Sequence, residues 1–81
     1  MKMSRDISGK DLIKKLQLFE YQITRQVGSH IRVSTNKNGI HHLTIPNHNP
    51  LRIGTLSSII NEISKHLDIN KELLIKLLFD K

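Results

Sequence analysis

Cysteine and tryptophan are absent from the 81-residue chain, which has one tyrosine, two phenylalanines and two prolines. Without cysteine there is no disulfide framework and no thiolate metal site. So few aromatic rings speak against base stacking as the main way of gripping a nucleic acid. No apolar run approaches the ~20 residues that span a bilayer. Nor does an apolar segment follow the basic start "MKMSRDISGK", as a secretory signal requires. A cytoplasmic protein is therefore expected. Acidic residues are scarce as well: seven Asp and Glu face thirteen Lys and Arg, a formal charge of +6. That balance favours an anionic partner, with plain solubility as the alternative. Convergent metal ligands are also lacking. His41 and His42 are adjacent, so on a strand they point to opposite faces, and nothing supplies the three or four ligands that zinc needs. Neither a metal nor a small-molecule cofactor is expected.

What is present reads as one domain over residues 1–81, small enough that a core of about 3–5 kcal/mol is the usual yield. Residues 1–7 read as a flexible lead. Ser8 with Asp11 forms an acidic capping box, and Leu12, Ile13, Leu16 and Phe19 follow at helical spacing. Lys10, Lys14 and Gln17 fall on the outer face of that helix. Three strand-like runs come next, at 21–27, 30–36 and 41–46, with Lys37-Asn38-Gly39 as turn chemistry between the second and third. "PNHNP" is a loop closed by proline at both ends. Thr55 is placed to cap a helix whose stripe is Leu56, Ile59, Ile60, Ile63 and Leu67. Asn70 is placed to cap a last helix, with Ile69 and Leu74 as a hydrophobic staple. This order predicts a small two-layer α+β domain, α-β-β-β-α with an extra short C-terminal helix, leaving one sheet face open.

The open face can be read from the strand alternation. Ile31 and Val33 face the helices, so His30, Arg32 and Ser34 face outward; Leu43 and Ile45 likewise turn His42 and Thr44 outward. A two-residue Gly28-Ser29 turn would bury Gln22, Thr24 and Gln26 and expose Ile23. A three-residue connection through Val27, Gly28 and Ser29, with a bulge, instead pairs Gln26 with His30 and Ile23 with Val33. The apolar pattern selects the second register. With Val33 opposite Leu43, Ser34 pairs with His42 and His30 lies level with Pro46, so His42 is about 13 Å from His30 at ~3.3 Å per residue. His42 is thus too far for an acid–base pair with His30 on one phosphate, whereas His48, just past Pro46, is within approach. His41 and His66 are assigned structural or surface roles. A solvated sheet face with no function would also look like this. The combination of a histidine beside a bulge, a cross-strand amide, a nearby arginine and net positive charge favours a site.

"SGKDLIKKL", "RQVGSH", "LTIPNH" and "GTLSSII" occur in an order and spacing that resembles the HicA-type (YcfA-like) toxins, over residues 8–67. The resemblance implies a double-stranded-RNA-binding-domain-like fold and a HicA/HicB-type toxin–antitoxin system. It further implies a metal-independent, ribosome-independent endoribonuclease that cleaves mRNA, with the Gly-Ser-His histidine, His30, as its single catalytic residue. The implied partners are RNA and a cognate HicB-type antitoxin. On that footing His30 is the general base or acid, since an imidazole titrates near ~6.5 and serves either role. Gln26 orients it, with His48 as a possible helper. Arg32 binds the scissile phosphate and the Gly28-Ser29 backbone stabilises charge, while Arg25, Lys37, Lys10 and Lys14 hold the RNA backbone. The alternative is a non-catalytic RNA-binding module of the same fold, which binds A-form RNA by shape and leaves it intact. A third reading gives the apolar last helix, through Leu73, Leu74, Leu77 and Leu78, a partner or a second copy to dock; ordinary core packing accounts for at least half of that stripe.

Overall fold

The computed structural model describes residues 6–79. Ser8 ends an extended approach and starts the first helix, α1 (Gly9–Leu16). Its Oγ accepts from the Asp11 N–H at 3.0 Å, and the Asp11 carboxylate accepts from the Ser8 N–H at 3.4 Å. These two bonds satisfy donors that a helix start leaves free. A 3₁₀ turn at Gln17–Phe19 continues the helix, and Glu20, at φ 66°, breaks it and redirects the chain. Three strands follow, β1 (Gln22–Val27), β2 (His30–Thr35) and β3 (His41–Pro46), as an antiparallel sheet in the order β1-β2-β3. Helices α2 (Ile53–Leu67) and α3 (Lys71–Phe79) complete the α+β architecture. No helix among the described residues is long and apolar enough to cross a membrane.

One apolar cluster joins the layers. Leu12, Ile13 and Leu16 from α1 meet Ile31, Val33, Leu43 and Ile45 from the sheet, and Leu56, Ile59, Ile60 and Ile63 from α2. Tyr21 is fully buried beside them. In α3, Leu74 and Leu78 are buried while Leu73 and Leu77 stay half exposed, so the stripe divides as its spacing suggests. Asn70 caps α3, its Oδ1 accepting from the N–H groups of Glu72 and Leu73 at 2.8 and 3.3 Å.

Two local expectations are corrected. Thr55 does not cap α2: the helix begins at Ile53 after Arg52, with no side-chain cap. Buried Leu51 sets the chain direction here, its N–H bonding to the Ile7 carbonyl at 2.8 Å, so no hydroxyl is needed to start the helix. The same bond revises the lead. Residues 1–5 of it lie outside the described residues, but Ile7 is part of the core.

The first hairpin is corrected too. Val27 pairs with His30, Gln26 with Ile31 and Arg25 with Arg32, so the connection is a two-residue Gly28-Ser29 turn. Gly28 takes φ +58° at the first turn position, as a type II′ turn requires of glycine there. Yet Ile23 still pairs with Val33, because the extra residue sits at Thr24 as a bulge between Ile23 and Arg25. The bulge therefore belongs inside the strand, not at the corner. Ile23 does face the helix side, but it is 56% exposed and not in the core. The helices pack on β3 and leave β1 overhanging, exposed along its whole length.

Candidate functional site

At the first hairpin three chain segments are fastened together. The Ser29 carbonyl accepts from the Asn47 N–H at 2.6 Å, and the His48 carbonyl accepts from the Gly9 N–H at 2.9 Å. Pro46 stands opposite His30 in the β2–β3 register. Gly9 is required by packing: a Cβ there would lie 2.1 Å from the Pro46 carbonyl oxygen. The turn, the loop after β3 and the start of α1 thus form one corner. His30, Lys10, Asn47 and His48 lie in those segments, all exposed.

β2 alternates buried Ile31, Val33 and Thr35 with His30, Arg32 and Ser34, so the latter three lie on the open face. The revised register changes what stands beside them. Arg25, not Gln26, joins the open face, directly across from Arg32. Val27, 59% exposed, is the neighbour of His30. Gln26 falls on the other face opposite Ile31, and its Nε2 donates to the Gly28 carbonyl at 3.4 Å. It is not placed to orient His30. Among the described residues neither guanidinium has a carboxylate partner; the ion pair found joins Lys37 Nζ to Glu20 at 3.7 Å, at the opposite end of the sheet. Like charges directly opposite on a sheet repel. An anion lying between Arg25 and Arg32 would relieve that repulsion.

The remaining candidates separate. Lys10 follows Gly9 at the corner, whereas Lys14 shares a cleft with Asp6, Asp11 and Phe79 on another side of α1. Lys37 lies by the second turn. His41 faces inward as expected: its Nδ1 meets the Tyr21 hydroxyl at 2.7 Å, and its ring stacks on His66 at 4.3 Å between centroids. Burial, followed by the neighbouring His66, holds the His41 pKa below the usual imidazole value. Burial, with Glu62 nearby, pushes Tyr21 up to about 12. No three His, Asp or Glu side chains among the described residues gather as a metal site.

Sequence reasoning missed the Arg25–Arg32 pair. The signal was available, since Gly-Ser is a good II′ turn pair, but a two-residue turn is compatible with Ile23 facing inward only if a bulge lies within the strand. It also missed a hydrogen-bonded chain across the far end of the open face. Thr24 Oγ1 lies 3.1 Å from Ser34 Oγ, which lies 2.6 Å from His42 Nδ1.

Comparison with curated proteins and with solved structures returns no match. Comparison with protein families does: residues 9–65 match the family described as the HicA toxin of bacterial toxin–antitoxin systems. The matched span runs from α1 through nearly all of α2 and contains every element of the corner. The chain belongs to the HicA toxin family, and is the toxin of a toxin–antitoxin system with an antitoxin for its partner.

Proposed function

We propose that the whole chain works as one metal-independent endoribonuclease that cleaves mRNA on the open sheet face. The observation that carries this reading is the opposed Arg25–Arg32 pair, which has no acidic partner among the described residues, on the same face as exposed His30. Two guanidiniums carried at opposed strand positions suit a phosphodiester, which each can grip through two N–H groups. His30 lies two positions from Arg32 on one strand face, within ~7 Å along the strand. It takes the proton from a ribose 2′-OH, and the resulting oxygen attacks the adjacent phosphorus. The bond to the 5′-oxygen breaks, leaving a 2′,3′-cyclic phosphate, and the departing oxygen is protonated. His48, in the loop fastened beside His30, is the group proposed to supply that second proton. Gly28 and Ser29 bring backbone N–H groups to the same corner, where they offset charge growing on the phosphate. Lys10 extends the positive surface along the bound strand, and Lys14 and Lys37 act further out, through the field rather than by contact with the scissile phosphate.

The antitoxin proposed for this toxin is a HicB-type protein that covers the open face and so competes with RNA. The test is incubation of the purified chain with a defined mRNA, followed by mapping of the product ends. The reading expects cleavage with chelator present, cyclic-phosphate ends, and loss of cleavage in His30→Ala. RNA that is bound but stays intact at enzyme excess replaces it with the non-catalytic binding module.

A further inference from the structure

The end of the open face away from His30 holds a cleft of about 520 Å³, lined by Glu20, Gln22, Thr24, Ser34, Asn36, Ile40 and His42 among others. Its position is fixed by register. Ser34 pairs with His42, four residues along both strands from the His30–Pro46 pair, about 13 Å at ~3.3 Å per residue. A group bound there belongs to a different nucleotide from the one attacked at His30.

The polar groups define what the cleft takes. Thr24 Oγ1 donates to the Arg32 carbonyl at 3.4 Å, so its one proton is committed. The 3.1 Å contact between Thr24 and Ser34 is then donated by Ser34, and the 2.6 Å contact between Ser34 and His42 by His42 Nδ1–H. The chain of bonds orients the His42 ring at the wall of the cleft. Glu20 adds a carboxylate, which only accepts, while Lys37 at 3.7 Å balances its charge. Gln22 and Asn36 contribute amides, the side chains that pair with base edges in two-bond fashion. Ile40, 73% exposed, offers an apolar surface for a ring to lie on.

We infer that this cleft is a specificity pocket for one unstacked base of single-stranded RNA, and that it selects bases with an exocyclic amino group over uracil. The Glu20 carboxylate and the Gln22 and Asn36 amide carbonyls accept, and adenine, cytosine and guanine each present an amine to them, whereas uracil does not. Single-stranded RNA is the form in which a base is free to turn out of its stack and be read on its edge. The inference rests on the nuclease reading, since it assigns a second part of the same substrate.

The experiment uses the full chain with His30→Ala, so that RNA is bound and not cut. Affinities are measured for single-stranded oligonucleotides that differ at one position at a time, while the parent chain is assayed for cleavage of the same set. The inference expects one position at which uracil binds about five-fold or more weaker than the amino-bearing bases. It expects Gln22→Ala combined with Asn36→Ala to remove that preference while the uracil oligonucleotide binds as before. Glu20→Gln, a conservative change at an exposed position, should narrow it. Equal affinity for all four bases at every position overturns the pocket, and so does an equal loss for all four in the double variant. If the parent chain still cleaves the set, the nuclease reading survives that result. If the parent neither cleaves nor binds any of them, both readings fall together.

Discussion

The two hairpin turns of the sheet are built on opposite plans. The Lys37-Asn38-Gly39 turn is braced by side chains: His66 Nε2–H donates to the Lys37 and Gly39 carbonyls at 2.9 and 3.0 Å, and Asn38 Nδ2 donates to the His66 carbonyl at 2.7 Å. His41 stacks on His66 from above and reaches Tyr21. The Gly28-Ser29 turn has a main-chain tether to Asn47 and a long 3.4 Å bond from Gln26, and its histidine is exposed with no hydrogen bond to its ring among the described residues. A histidine whose N–H is committed to carbonyls stabilises the fold. One left exposed on the face of two arginines adds no such brace, and it is the histidine proposed above to act on RNA.

The widest separation between the two turns should come from exchanging which histidine is removed. His30→Ala is expected to lower RNA cleavage by about 10²–10⁴-fold, the usual contribution of a general acid or base. Its stability should stay within about 0.5 kcal/mol, since an exposed side chain without partners is lost. His66→Ala should do the reverse. Losing these hydrogen bonds to the Lys37 and Gly39 carbonyls, together with the ring stacked on His41, costs about 1 kcal/mol in chemical denaturation, and cleavage well below the melting temperature should be unchanged. Equal loss of activity in both variants would erase the distinction between the turns.

Two glycines sharpen it on a smaller scale. Gly9 and Gly28 both belong to the first corner, for different reasons. Gly9→Ala drives a methyl into the Pro46 carbonyl, so either α1 or the 46–48 loop must move, at about 1–3 kcal/mol. Gly28→Ala meets nothing within 4 Å but must hold φ +58°, at about 1–2 kcal/mol. Denaturation curves give both costs. Cleavage should fall more in Gly9→Ala when assayed on fully folded protein, because that substitution parts α1, which carries Lys10, from the loop that carries His48.

The order of elements, the β2–β3 register and the identity of the core stripes were legible in the sequence because alternation and helical spacing are local patterns. Ile31, Val33, Leu43 and Ile45 left one solution for the two inner strands. β1 was harder. Its apolar residues, Ile23 and Val27, constrain a strand only if something covers it, and the helices stop short of it. A bulge at Thr24 satisfies both the preferred turn and the inward Ile23, and nothing in Thr24 itself announces one. The site followed the same division. His30, Arg32 and their face were readable from β2. The Arg25 partner and the Thr24–Ser34–His42 chain were not, because both depend on where that one extra residue sits.

The braced turn should also be the one that answers to acid. Tyr21, pushed up to about 12 by burial, keeps its proton throughout the neutral range and donates it to His41 Nδ1. Protonating His41 would turn Nδ1 from an acceptor of the Tyr21 proton into a donor and set a cation against the His66 ring. Burial and the His66 and His42 charges oppose this, and Glu62 favours it without prevailing, so the folded pKa lies below the unfolded one. The unfolded chain therefore takes up the proton first, near its ordinary value of ~6.5. Stability from this group is fully present above that pH and is lost as pH falls from there toward the folded value. Thermal melts should be level between about pH 7 and 8 and shift downward below about 6.5. His41→Gln cannot titrate, so its melting temperature should fall less steeply over the same acid range, even if it starts lower for want of the stacked ring. An unaltered acid slope in His41→Gln would place the sensitivity outside the second turn.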